Sequence, residues 1–433
     1  MTNLTLGSLF DGSGAFPLAA KNVGITPLWA SEIEPLPILV TSVHLPEVEH
    51  LGNIFDLDGA AVPPVDVITG GSPCQNLSAA GRRAGLEGDK SSLFYQQIRV
   101  TKEMREHTNG LQPRYEIWEN VTGALSSNQG RDFQQVLQSF ISVKAPGVHV
   151  PQPPGWKWDP MGYVLGNDFS IAWRTVDSKF WGVPQSRNRV FLVCDFDGHN
   201  AGKILFNPSR MPVLAENNPR GPDRVQESAP GRHEAYRTIG ISTDLRVETT
   251  TVANIITTRY NNAPCNFIKP TGQPRLRHLT EVELARLQGF PDYWVDGLTI
   301  TDPTPAQVAY WTQIWNQWKT ATGSATTQTE TQTKKWLAQT DRYIGLHKMW
   351  GNGITLPIPQ WILGNLQHYN GFGCCLRITA TGRKSSESKA YYRERGTTFT
   401  SVSSSVNQLF HRALNSQLNS QLNSQLLRAP HES

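Results

Sequence analysis

Short apolar runs recur along the first half of the chain, at Leu4-Thr5-Leu6 with Leu9-Phe10, Thr26 to Ala30, Val65 to Thr69, Tyr115 to Trp118 and Val190 to Val193. Helix-length segments separate them. The first run leads through a glycine-rich turn into Ala15-Phe16-Pro17-Leu18-Ala19-Ala20, which can open a helix, so the chain begins as strand, loop, helix. Alternation of this kind predicts a mostly parallel sheet covered by helices.

The pattern changes between about Asp195 and Leu276. Pro, Gly, Arg and Asn dominate there, with only short apolar pieces such as Ile239-Gly240-Ile241 and Ala253-Asn254-Ile255-Ile256, which predicts a smaller, irregular domain. Helical periodicity returns at Thr280 to Gln288, where Thr280 and Glu283 form a capping-box pattern, and a further helix is expected from Pro305 to Trp318. The Thr-rich piece Thr320 to Thr333 reads as a surface loop. After about Asn370 the composition becomes Ser-, Thr- and Arg-rich and ends in Asn-Ser-Gln-Leu repeated at 415–418, 419–422 and 423–426. Disorder, or a short helix with a Leu418, Leu422, Leu426 stripe, is expected for this tail.

With 433 residues the chain can bury a large core and divide into two or more domains. Its net charge of +4 is too mild to identify a polyanionic partner. The distribution is more telling: residues 371–433 carry eight Lys/Arg against three Asp/Glu, leaving the first 370 at −1. A second basic stretch, Ala201 to Leu276, has ten basic residues, eight of them Arg, against six acidic. The five cysteines, Cys74, Cys194, Cys265, Cys374 and Cys375, lack CxxC spacing, so neither a zinc site nor a disulfide framework is suggested and a reducing compartment fits. The opening MTNLTLGSLFDGSG has no basic segment followed by a long apolar one, and no run of about 18 apolar residues occurs, so a soluble, cytoplasmic protein without a membrane partner is expected.

Four places invite chemistry. In Gly70-Gly71-Ser72-Pro73-Cys74-Gln75-Asn76 a cysteine sits on a Gly/Pro-shaped turn directly after an apolar run, presented to be reached rather than buried. A free thiol has a pKa of about 8.5 and reacts only as thiolate, so its surroundings must favour deprotonation. Glu119, in Trp118-Glu119-Asn120-Val121, follows another apolar run and would lie beside Cys74 across neighbouring strands; partial burial there favours the protonated form. Gln185, Arg187 and Arg189 precede Val190-Phe191-Leu192-Val193, and alternation places the three on one face, where two arginines suit a phosphate and a carbonyl oxygen. Phe10-Asp11-Gly12-Ser13-Gly14 lets a ligand approach backbone N–H groups, and Glu32 after the next run suits ribose hydroxyls. Pro17 stands where a dinucleotide fingerprint would require glycine.

In this order the segments resemble the DNA cytosine-5 methyltransferase family of bacterial and phage type. The resemblance is carried by FDGSG, GGSPCQNLSAAGRRAGLEGDKSSLF, WENV, WRTVDSKFWGVPQSRNRVFLV, RHLTEVELARLQGFP and GNGITLP, from about Leu4 to Leu363. It implies an α/β fold: a Rossmann-like S-adenosylmethionine-dependent methyltransferase sheet, mostly parallel with helices on both faces, plus a smaller irregular target-recognition domain. The corresponding divisions are a catalytic domain at 1–195, target recognition at 196–276, a return segment completing the catalytic domain at 277–370, and a low-complexity tail at 371–433.

The resemblance also implies roles. Cys74 would add as thiolate to carbon 6 of cytosine, making carbon 5 nucleophilic toward a methyl group. Glu119 would protonate the ring nitrogen, Arg189 would bind the carbonyl oxygen, and Arg187 would support the intermediate or the nearby backbone. The implied donor is S-adenosylmethionine, with no metal. Phe10, Gly12 and Gly14 would line its pocket, Glu32 would take the ribose, and Asn352 would close the site. Three positions depart from the common pattern: Asn53 stands where Asp accepts from the adenine amino group, Lys90 where Arg is common, and Gly353 where Ser is common.

The implied partner is double-stranded DNA, from which the target base must be swung out. Asn76 to Phe94, with Arg82, Arg83 and Lys90, is a loop that would close over it, and Arg220, Arg224, Arg232, Arg237, Arg246 and Arg259 are candidates for base or phosphate contacts. A cognate restriction endonuclease is a candidate partner, against a solitary or phage-borne role, and a monomer is expected. A tRNA cytosine-5 methyltransferase and a non-catalytic DNA-binding protein with a methylase fold are the alternatives. The Arg-rich region, Pro-Cys-Gln and the intact Cys74 and Glu119 favour the DNA enzyme.

Overall fold

The computed structural model describes residues 3–73, 93–207, 237–241, 247–250, 256, 266–269, 277–370, 390–394 and 397–401. Cys74, the rest of the expected closing loop up to residue 92, Arg220, Arg224, Arg232, Arg246, Arg259 and the Asn-Ser-Gln-Leu repeats lie outside these residues.

The first half alternates as its apolar runs predict: β1 (Thr5–Leu9), α1 (Ala15–Asn22), β2 (Thr26–Ser31), α2 (Pro35–His44), β3 (Glu49–His50), β4 (Val67–Gly70), α3 (Leu93–His107), β5 (Tyr115–Val121) and α4 (Arg131–Lys144). Next come β6 (Met161–Leu165), β7 (Ser170–Asp177), β8 (Asn188–Asp195) and α5 (Ala201–Phe206). In the main sheet, strands β5-β4-β1-β2-β3 are neighbours in that order and mutually parallel. Beyond β5 the sheet continues through β8, β7 and β6, each antiparallel to its neighbour.

Helices cover both faces because side chains alternate along each strand. Leu6, Val67, Ile117 and Val193 enter a core with residues of α1, α2, α5 and α10 (Pro357–Asn370). Trp118 and Leu192 pack on the other side with residues of α3 and α4, and Leu9 and Ile68 with Val100 and Met104 of α3.

The 196–276 division needs one correction. Helix α5 belongs to the main core: Ala201, Ile204 and Leu205 are buried there, and Asn365 Nδ2 of α10 donates to Ile204 O at 2.9 Å. Beyond it, β9 (Arg237–Ile241), β10 (Val247–Thr250), β11 (Asn266–Lys269) and β12 (Arg277–His278) pair antiparallel as a second, four-stranded sheet in the order β10-β9-β11-β12. The segment expected to be irregular thus contains paired strands.

The return segment holds α6 (Glu281–Leu287), α7 (Pro305–Ala321), α8 (Glu330–Leu337), α9 (Tyr343–Asn352) and α10. The capping box at Thr280 and Glu283 forms as expected, with Glu283 N donating to Thr280 Oγ1 and Thr280 N to Glu283 Oε2 at 2.7 Å. The Thr-rich stretch is only partly loop, since Thr329 and Gln332 build another capping box that starts α8. Within 371–433, β13 (Ala390–Glu394) and β14 (Thr397–Ser401) pair with each other, and β14 joins β6 at the edge of the main sheet. That part of the tail is paired rather than structureless. Among the described residues no helix is long and apolar enough to cross a membrane.

Candidate active site

Parallel strands place their carboxyl ends on one edge, and the chain leaves β1 and β4, adjacent in the sheet, toward opposite sides. Such a reversal opens a crevice at those ends. The described residues after β4, 71–73, lie against β5 there, and the loop after β1 meets the return segment.

Strand β5 runs three residues past the expected Trp118, so Glu119 is within the strand rather than beyond it. Its carboxylate is buried at 8% exposure. Strand β8 pairs antiparallel with β5, opposing Val121 to Arg189, and Arg189 Nε reaches Glu119 Oε1 at 3.1 Å. Burial pushes the Glu119 carboxyl above the ordinary range, while Arg189 and Arg187 pull it back. A carboxyl so held keeps its proton to higher pH than a solvated one and stays oriented by its guanidinium partner.

The turn after β4 is tied to the same strand. Trp118 Nε1 donates to Ser72 Oγ at 3.3 Å and Asn120 Nδ2 to Ser72 O at 3.1 Å. A Cβ placed on Gly71 would lie 3.2 Å from Glu119 Oε2 and 3.3 Å from Ile354 Cδ1, and one on Gly70 would lie 2.4 Å from Gln97 Oε1. These glycines let the turn pass between Glu119, α3 and the return segment. Residues 71–73, just before Cys74, are thus held against the strand that carries Glu119.

The expected arrangement of Gln185, Arg187 and Arg189 is corrected. Strand β8 starts at Asn188, so Gln185 and Arg187 precede it, and both are buried. Arg187 donates to Gly353 O at 2.7 Å, Gly351 O at 3.0 Å and Ile256 O at 3.4 Å. It is a positioning residue that fastens the return segment under the site, and burial lowers its pKa to about 9.

On the other side of the crevice, Phe10 and Gly12 both take φ 55° and Gly14 takes φ 80°, so the loop after β1 turns through left-handed conformations that favour glycine. Gly12 N donates to Glu32 Oε2 at 2.8 Å, while Ile33 N and Glu34 N donate to Glu32 Oε1 at 2.7 and 2.9 Å. Glu32 is thereby fixed at the end of β2 with one acceptor position left on Oε2. Asn53 Oδ1 accepts from Phe55 N at 3.2 Å, so a local turn engages the oxygen expected to take an amino group. Asn352 ends α9 and is exposed; its neighbour Gly353 meets the loop after β1, where a Cβ would lie 3.0 Å from Ser13 Oγ.

Two groups in this loop escaped the sequence reading. Asp11 is buried, accepts from Ser8 Oγ at 2.7 Å through Oδ1, and leaves Oδ2 without a partner among the described residues. Burial, with Glu32 nearby, raises its pKa to about 7. Ser13 Oγ is also buried and unpartnered among the described residues. Unpaired buried polar atoms at a glycine-rich turn mark a place for a polar ligand. The signal was present in FDGSG, but burial depends on the fold around it.

Residues 4–150 match the model of the family described as C-5 cytosine-specific DNA methylase. The type II methyltransferase M.DsaV of Dactylococcopsis salina is 25% identical over 300 residues, covering 66% of this chain and 76% of that protein. The DNA N-6-adenine-methyltransferase of Escherichia phage P1 is 31% identical over 216 residues, covering 45% of this chain and 28% of that protein, so the match spans less than a third of that relative's length. The crystal structure of S. pombe Dnmt2 methyltransferase shares the fold, with a TM-score of 0.52 at 15% identity over 85% of this chain and 100% of that one.

Proposed function

We propose, for a chain whose residues 4–150 match the C-5 cytosine-specific DNA methylase family, that it transfers a methyl group from S-adenosylmethionine to carbon 5 of cytosine in duplex DNA. The observation that carries this reading is the buried Glu119–Arg189 pair at 3.1 Å beside the turn that leads into Cys74.

The loop after β1 fits the donor. Its turn offers backbone N–H groups, the unpaired Asp11 Oδ2 and Ser13 Oγ suit amino and carboxylate groups, and Glu32 would take the ribose. Phe10, Gly12 and Gly14 would line this pocket, with Asn53 toward the adenine and Asn352 at the rim. When bound, the donor supplies an electrophilic methyl on a sulfonium.

The extruded cytosine lies with its ring nitrogen toward Glu119 and its carbonyl oxygen toward Arg189. Cys74 Sγ, as thiolate, bonds to carbon 6 while Glu119 gives its proton to the ring nitrogen. Carbon 5 then takes the methyl carbon, whose bond to the donor sulfur breaks to leave a neutral thioether; a base removes the carbon 5 proton, and the Sγ–carbon 6 bond breaks as the ring nitrogen returns its proton. Extrusion costs a few kcal/mol of stacking and pairing, which contacts to the opened duplex must offset. Target recognition belongs to the Arg-rich segment beyond α5, the chain acts as a monomer, and its place is the cytoplasm, with or without a restriction endonuclease as companion.

Labelled methyl transfer to duplex DNA, followed by nucleoside analysis, tests the reading. The expected product is 5-methylcytosine with the parent and none with Cys74→Ala. A second reading, transfer to adenine, is prompted by the name of the phage P1 relative. Label on the adenine amino group, or equal labelling by Cys74→Ala, contradicts the thiol mechanism.

A further inference from the structure

Two segments with unusual backbones meet at the edge of the sheet that carries Glu119. One follows β5 through 3₁₀ turns at Thr122–Leu125 and Ser127–Gly130 to the start of α4; within it Asn128, Gln129 and Gly130 all have positive φ, at 48°, 57° and 78°. The other precedes β6, with Gly155 at φ 66° and Trp156 at φ 60°. Left-handed backbone at a tryptophan is costly and persists only when its surroundings impose it.

The topology brings both to the same edge. The end of β5 is on the site side, and β8, β7 and β6 are successively antiparallel, so the beginning of β6 returns there. Contacts agree: Trp158 Nε1 donates to Gly130 O at 2.7 Å, and a Cβ on Gly130 would lie 2.8 Å from Trp156 O.

The result is an aromatic and cationic surface. Trp156 is 40% exposed, the Arg131 guanidinium carbon stands 4.8 Å from its ring centroid, and Lys157 beside it is exposed. The adjacent carboxylate, Asp132, is turned inward and buried, where Ser127 and Asn128 donate to it.

We propose that Trp156, Arg131 and Lys157 hold the sugar–phosphate backbone of the DNA flanking the target base. This rests on the DNA methyltransferase reading. Arg131 and Lys157 pair with phosphates, and the Trp156 ring packs on a sugar, so the contact is independent of sequence.

Affinity for sheared duplex DNA, measured by anisotropy over a salt series, tests it with Arg131→Gln, Trp156→Ala and Trp156→Phe. Arg131→Gln should weaken binding about 3- to 10-fold and reduce the salt slope by about one. Trp156→Ala should weaken it by a similar factor and Trp156→Phe much less, with S-adenosylmethionine affinity unchanged in all three. Unaltered DNA affinity and slope in Arg131→Gln and Trp156→Ala, or a parallel loss of donor affinity, overturns the inference. A parent protein that binds no duplex DNA overturns the underlying reading instead, a result independent of the variants.

Discussion

The titration of Glu119 is set by its neighbours. Its burial favours the neutral acid, and the guanidinium at 3.1 Å favours the anion; burial is the larger effect. In the proposed mechanism the donating form exists below the raised pKa, so methylation should fall as pH climbs through it, and ionisation of the Cys74 thiol should limit the rate from the acid side. Glu119→Gln should lower turnover by about 10²- to 10⁴-fold and abolish the alkaline decline, with DNA and donor affinities within a few-fold of the parent. Steady-state rates across pH check this, and turnover near parental levels contradicts it. WENV was legible as a motif. Its pairing with Arg189 depends on antiparallel register between segments some 70 residues apart, which local pattern does not encode. Asp11 was invisible for a related reason, since nothing local distinguishes a buried aspartate from one in an exposed turn.

At the scale of elements, Arg187 joins three pieces of chain through the carbonyls of Gly351, Gly353 and Ile256. Removing a buried charged donor leaves those oxygens unpaired, at about 1–3 kcal/mol for each well-formed bond. Arg187→Ala should therefore destabilise the protein by about 2–4 kcal/mol in denaturant unfolding, with Arg187→Lys recovering only part. A change below about 0.5 kcal/mol would contradict its role as a fastener. The parallel strands β1, β2, β4 and β5 were legible because each is a short, largely apolar and largely buried run, whereas the two-residue β3 carries no such signal. Elements set by side chain–backbone capping were legible where the composition was ordinary, as at Thr280. The same Thr-x-x-Gln signal at Thr329 was obscured by its Thr-rich surroundings. Helix α5 was assigned to the wrong side of a boundary because its burial depends on α10, more than 150 residues later.

Across the whole molecule, the order β5-β4-β1-β2-β3 creates the crevice, and the antiparallel extension through β8, β7 and β6 brings Arg189 and the Trp156 segment back to its mouth. The first half of that design follows from alternating apolar runs. The second half, including β13 and β14 on the far edge, rests on long-range pairing that no local periodicity announces. The central claim is a transient sulfur–carbon bond between Cys74 and an extruded cytosine. Incubating the protein with S-adenosylmethionine and duplex DNA containing 5-fluorocytosine measures it, because fluorine replaces the proton whose loss releases the enzyme. A stable protein–DNA adduct mapped by mass spectrometry to the Cys74 peptide, absent in Cys74→Ala, is the predicted result; no adduct under conditions where unmodified DNA is methylated would contradict the account.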